Sequence, residues 1–69
     1  MSTIRITVNG EERQVAGGLS LLELLGVLGL EPARLAVELN REIVRRDAWA
    51  DTRVEDGARL EIVQFVGGG

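Results

Sequence analysis

The sequence predicts an α+β fold in which a mixed sheet of four to five strands packs on one main helix. Three observations predict it. Stretches of period-two hydrophobicity lie near both ends of the chain, "TIRITV" and "ARLEIVQFV". A single stretch of period 3.6, "SLLELLGVLGL", lies between them. Asn9-Gly10 and Asp56-Gly57, two turn-forming pairs, adjoin the alternating stretches.

In "TIRITV", Ile4, Ile6 and Val8 share one face and Thr3, Arg5 and Thr7 the other, as in a half-buried strand. Asn9-Gly10 supplies the positive φ angles of a two-residue hairpin, so "EERQV" returns antiparallel with Val15 as its apolar contribution. After Gly17-Gly18 the period changes, and Leu21, Leu24, Leu25 and Leu28 form one helical stripe. Ser20 and Glu23 have the spacing of a capping box, and Gly29 suits the left-handed position past the helix end. Gly26, costly inside a helix, is expected to allow a close approach to the sheet or to mark a shorter helix.

"RLAVELN" alternates again with Leu35, Val37 and Leu39 inward, and Asn40-Arg41 turns into a short "EIV" strand. "RRDAWADTRV" has no clear period and reads as an irregular or 3₁₀ segment anchored by Trp49, with Arg45 and Arg46 as a solvated pair. In the last strand Leu60 and Ile62 face one way, and Glu61, Val63 and Phe65 the other. One leucine stripe needs one sheet face to cover it. The order strand, strand, helix, strand, short strand, long strand fits a β-grasp arrangement, with the last strand parallel to the first in the middle of the sheet. The expected organisation is a β-grasp domain over residues 1–66 and a flexible glycine tail over residues 67–69.

Composition narrows the chemistry. The chain has 69 residues, no Cys and no His, so it offers no thiolate, no imidazole base and no ordinary zinc site. No metal is expected, and no catalytic residue. The net charge is −3 and all eight basic residues are arginines scattered from Arg5 to Arg59, which argues against nucleic acid as a partner. The longest apolar run is interrupted by Glu23 and too short for a bilayer, so no membrane partner is expected and a cytoplasmic location is.

The chemistry-bearing feature is "EIVQFVGGG", a strand followed by Gly67, Gly68 and Gly69. A carboxylate is a poor electrophile until it is activated, and ATP can convert it to an acyl-adenylate if a partner enzyme holds the nucleotide and the tail in line. Lacking Cβ atoms, Gly68 and Gly69 can thread a narrow passage and leave the carbonyl unobstructed. Val63 and Phe65 form an apolar pair beside that tail. Either they are exposed as a docking patch for a partner, or strand twist or a neighbouring loop covers them.

The segments "AVELNREIVRRDAW" and "VEDGARLEIVQFVGGG" resemble the ThiS family, ubiquitin-like sulfur carriers of thiamine biosynthesis, over nearly the whole chain. Two positions depart from the family pattern: Arg45 stands where proline is frequent, and Ala58 where an acidic residue commonly follows the Asp-Gly turn. The resemblance implies a carrier that is acted upon by enzymes and is not itself one. It implies that a ubiquitin-activating-type (ThiF-like) enzyme adenylates the carboxylate of Gly69 with ATP. A persulfide on a partner would supply sulfur, and the thiocarboxylate would pass it to thiazole synthase (ThiG-like). The chain itself would bind no cofactor. Two other readings share the fold: the small subunit of molybdopterin synthase, whose "FPPVSGG"-like ending differs from "FVGGG", and a ubiquitin-like module that binds partners without acyl activation.

Overall fold

A computed structural model describes residues 2–65. Five strands, β1 (Thr3–Val8), β2 (Glu11–Ala16), β3 (Leu35–Leu39), β4 (Glu42–Val44) and β5 (Arg59–Gln64), form one sheet in the order β2-β1-β5-β3-β4. One helix, α1 (Leu21–Val27), crosses between the two hairpins, and 3₁₀ segments lie at Pro32–Arg34 and Arg46–Asp51. β5 is parallel to β1 and antiparallel to β3, which places it at the centre as the element order predicts. The sheet is therefore mixed and the arrangement is a β-grasp. The predicted exit of the chain at Val66 and the tail Gly67, Gly68 and Gly69 lie outside the described residues.

Both hairpins turn through left-handed residues. Asn9 has φ 52° and Gly10 φ 84°, while Asn40 and Arg41 have φ 52° and 72°. Such pairs twist in the same hand as the strands they join, and Asn tolerates the left-handed region better than most residues. The register Ile4↔Val15 and Ile6↔Arg13 keeps Val15 on the inner face with Ile4 and Ile6.

Helix α1 begins on a complete capping box. The Ser20 hydroxyl accepts from the backbone N–H of Glu23 (3.1 Å), and the Glu23 carboxylate accepts from the backbone N–H of Ser20 (2.8 Å). The Ser20 backbone N–H first, and the nearby Ser20 hydroxyl second, hold the Glu23 carboxyl below its ordinary pKa, with a smaller contribution from the charge of Arg53. At the other end Gly29, at φ 75°, donates to Gly26 (3.0 Å) and Leu30 to Leu25 (3.0 Å). That pair of bonds is a Schellman motif, and it turns Leu30 back to pack against the core.

Gly26 corrects the expectation of close approach to the sheet. It lies on the exposed side, and a Cβ there would meet nothing within 4 Å. Its place near the end of a seven-residue helix limits its cost, and the C2 carbonyl it contributes to the Schellman motif is a backbone group any residue has.

The core unites the inner faces of the strands with Leu21, Leu24, Leu25, Trp49 and Val54. Leu60, the second residue of β5, is fully buried beneath the helix. Trp49 anchors the 3₁₀ segment as expected: it is 1% exposed, and its indole N–H donates to the Val44 carbonyl (2.8 Å). No helix among the described residues is long and apolar enough to cross a membrane.

Candidate functional site

The strand leading toward the tail is held along both edges, and two asparagines do much of the holding. On the β1 side, Thr7 donates to the Ala58 carbonyl (3.0 Å) and Asn9 to the Leu60 carbonyl (2.9 Å). The backbone of β1 then leaves in its turn, and the Asn9 side chain continues the ladder. Its Oδ1 accepts from Ile62 N–H (2.8 Å) and its Nδ2 donates to the Ile62 carbonyl (3.1 Å). A primary amide has the donor-acceptor spacing of a peptide group, so it can stand in for one more strand residue.

Asn40 repeats the device on the β3 side. Its backbone N–H donates to the Arg59 carbonyl (2.8 Å) and its Oδ1 accepts from Arg59 N–H (2.9 Å). From there β3 and β5 pair from Leu39↔Leu60 to Leu35↔Gln64. One further bond, from Phe65 N–H to the Arg34 carbonyl (2.8 Å), carries the pairing to the last described residue. The Asp56-Gly57 turn secures the near end, where Arg5 donates to the Asp56 carboxylate (2.8 Å) and accepts from Gly57 N–H (2.7 Å).

This clamping decides what β5 presents. Leu60 and Ile62 face the helix and are buried, while Val63 and Phe65 are each 57% exposed on the opposite side. Of the two alternatives for this pair, twist or loop does not cover them. Register adds residues that the alternating pattern of β5 alone could not supply. Ala36 lies opposite Val63, and Glu38 opposite Glu61. Ile43 lies opposite Glu38 on the other edge of β3 and is 77% exposed. The outer face over β5, β3 and β4 is thus an apolar patch of Ala36, Ile43, Val63 and Phe65 beside two facing carboxylates. Like charges directly opposite each other weaken a sheet, so the Glu38–Glu61 pair carries a local cost. The outer face over β1 and β2 is polar instead, with Arg5 4.0 Å from Glu12 in an exposed ion pair.

Ile43 was legible in principle. A two-residue turn at Asn40-Arg41 sets Glu38 across from Ile43, and Glu38 points outward if Leu35, Val37 and Leu39 point inward. Arg46 is exposed, as expected of a solvated residue, but it is also engaged. Its guanidinium donates to the Ala33 carbonyl (2.8 Å) and lies 5.9 Å from the centre of the Trp49 ring. Among the described residues no group of three or more His, Cys, Asp or Glu could hold a metal ion.

The ThiS family model matches residues 6–69. The sulfur carrier protein ThiS of Escherichia coli is 35% identical over 66 residues, covering 96% of this chain and all of that protein. A thiazole synthase of Paramagnetospirillum magneticum is 44% identical over 66 residues, but the chain spans only 20% of its length. Among solved structures, the crystal structure of the thiamine biosynthesis protein ThiS from Geobacter metallireducens superposes with a TM-score of 0.82 at 39% identity, covering 96% of this chain and 100% of that one. With the span from Ile6 in β1 to the glycine-ended segment inside the match, and both ThiS relatives covered end to end, the chain belongs to the ThiS family of ubiquitin-like β-grasp sulfur carriers.

Proposed function

We propose that the chain is a protein co-substrate that carries sulfur as a thiocarboxylate on Gly69 for the building of the thiazole of thiamine. The observation that carries this reading is the family match running through residue 69, over a domain whose central strand is clamped to its last described residue. The reading requires a free carboxylate on Gly69.

The chemistry divides between this chain and its partners. A ubiquitin-activating-type (ThiF-like) enzyme binds ATP and aligns its α-phosphate with the Gly69 carboxylate. The carboxylate oxygen attacks, pyrophosphate leaves, and the acyl carbon becomes electrophilic. A persulfide sulfur on a partner then attacks that carbon and AMP leaves, giving an acyl disulfide. A second partner thiol attacks the partner's sulfur in that acyl disulfide, so that a disulfide forms between the two partner sulfurs and the thiocarboxylate leaves. This chain has no Cys, so every thiol in the sequence of steps belongs to a partner. Gly67 and Gly68 serve the threading, since neither brings a side chain to the passage.

The partner that receives the sulfur is a thiazole synthase. A domain like this one occupies about a fifth of two proteins of that name, from Paramagnetospirillum magneticum and Magnetococcus marinus, which supports a working association between the two activities. The test is intact mass spectrometry of the chain after incubation with a ThiF-like enzyme, ATP and a persulfide donor. A gain equal to the difference between one sulfur and one oxygen, located on Gly69, is expected. A folded chain that never gains it refutes the reading.

Val63 and Phe65, joined by Ile43 and Ala36, are the docking surface in this reading. Phe65→Ala is expected to raise the KM for the chain in adenylation about tenfold, as truncation of a central aromatic contact does. Its thermal unfolding midpoint should hardly move, because the ring is mostly in solvent. A large fall in that midpoint with unchanged KM would assign Phe65 to the fold.

A further inference from the structure

Three elements converge where β5 ends, and one side chain ties them together. The 3₁₀ segment Pro32–Arg34 supplies the Arg34 carbonyl that accepts from Phe65 N–H (2.8 Å). The neighbouring carbonyl, that of Ala33, accepts from Arg46 Nη2 (2.8 Å). Arg46 opens the second 3₁₀ segment, whose Trp49 is locked in the core and bonded to Val44. The guanidinium bridges the two segments, lying near the Trp49 ring while it donates to Ala33.

We propose that Arg46 is a positioning residue: by pinning the Pro32–Arg34 segment to the Trp49 anchor, it fixes the Arg34 carbonyl and so the direction in which β5 delivers the chain toward Gly69. The proposal rests on the reading of Gly69 as the reacting end. The geometry is selective. The bond from Phe65 continues the β3 register one pair past Leu35↔Gln64, and its acceptor is the last residue of the 3₁₀ segment. That segment has no side-chain cap at its start; of its two backbone bonds, Arg34 N–H to the Glu31 carbonyl is long, at 3.4 Å, and Leu35 N–H to the Pro32 carbonyl joins it to β3. Toward its start it has no such tie to β3, and the bond from Arg46 to the Ala33 carbonyl is the side-chain grip there. The planar fork of arginine suits this task, because it can donate in its plane while its face or edge lies against an aromatic ring; the ammonium of lysine donates but does not stack.

A reacting group displaced by about 1 Å can cost on the order of a hundredfold in rate, so loss of the bridge should show in turnover more than in docking. The patch formed by Ala36, Ile43, Val63 and Phe65 makes no use of the guanidinium.

The experiment compares the full-length wild type with Arg46→Ala and Arg46→Lys by amide hydrogen exchange, and by pyrophosphate release with a ThiF-like enzyme and ATP. In Arg46→Ala the Phe65 amide should exchange about fivefold faster, the effect of losing one hydrogen bond's worth of restraint. The Ile62 amide, held by Asn9 on the other edge, should keep its rate. The kcat should fall while the KM for the chain stays, and Arg46→Lys should lie between the two. Equal acceleration at Phe65 and Ile62 would make Arg46 a general stabiliser and overturn the proposal, as would an unchanged Phe65 rate or an unchanged kcat. If the wild type itself releases no pyrophosphate, the functional reading fails, and the exchange rates alone then decide whether Arg46 fixes the strand end.

Discussion

Trp49→Ala is expected to leave most of the chain unfolded at room temperature. A buried Trp cut back to Ala costs about 3–5 kcal/mol. A domain of 69 residues holds in total roughly 3–10 kcal/mol at typical per-residue stability. Trp49 is 1% exposed and belongs to the same cluster as Leu21, Leu24 and Leu25, so its removal opens the space between the 3₁₀ segment and the helix. It also strips the Val44 carbonyl of its indole donor and Arg46 of the ring beside it. Trp49→Phe separates these contributions. It keeps most of the packing and loses the indole N–H, so a cost of about 1–2 kcal/mol is expected, mostly from the unsatisfied carbonyl. The measurement is urea denaturation followed by far-ultraviolet circular dichroism, because the chain has a single Trp and both variants remove it. A Trp49→Ala protein that unfolds at nearly the wild-type urea concentration would show that the ring fills no essential space.

The architecture was legible because each element announces itself locally. Alternation marks β1 and β5, the leucine stripe marks α1, and Asn-Gly, Asn-Arg and Asp-Gly pairs mark the turns. Even the inward and outward faces of β5 followed from its period, since a one-residue slip would have put Leu60 in solvent and Glu61 in the core. What sequence could not give were interactions between residues far apart in the chain. Asn9 reads as a turn residue from its neighbour Gly10, yet its amide bonds Ile62 at the other end of the sequence. Arg46 reads as one of two adjacent solvated charges, and nothing nearby says that Ala33 and Trp49 will bracket it. Gly26 was misread for the opposite reason. Its local cost in a helix suggested a packing demand, but the exposed side of the last turn makes none. On the candidate site, the apolar pair on β5 came from period alone, while Ile43 and Ala36 joined it only through cross-strand register.

The same reasoning makes Asn9 the second large effect. Asn9→Ala is expected to cost about 2–4 kcal/mol, since a buried group left without its partner costs roughly 1–3 kcal/mol and both backbone groups of Ile62 are involved. Alanine at φ 52° adds strain of about 1–2 kcal/mol, which asparagine largely escapes. Asn9→Gly removes the amide without that strain. The gap between the two variants therefore measures the backbone conformation, and the gap between Asn9→Gly and wild type measures the grip on β5. Asn9→Asp keeps an acceptor for Ile62 N–H but turns a carboxylate oxygen toward the Ile62 carbonyl, where the amide had donated, so it should be less stable than wild type despite its similar shape. Urea denaturation gives the totals, and exchange of the Ile62 amide locates the change. If Asn9→Gly matches wild type in both, the amide is not what fastens the central strand. If it loosens Ile62 as expected, the strand that presents Val63 and Phe65 is held on its β1 side by a side chain that completes a parallel ladder two residues longer than the backbone of β1 reaches.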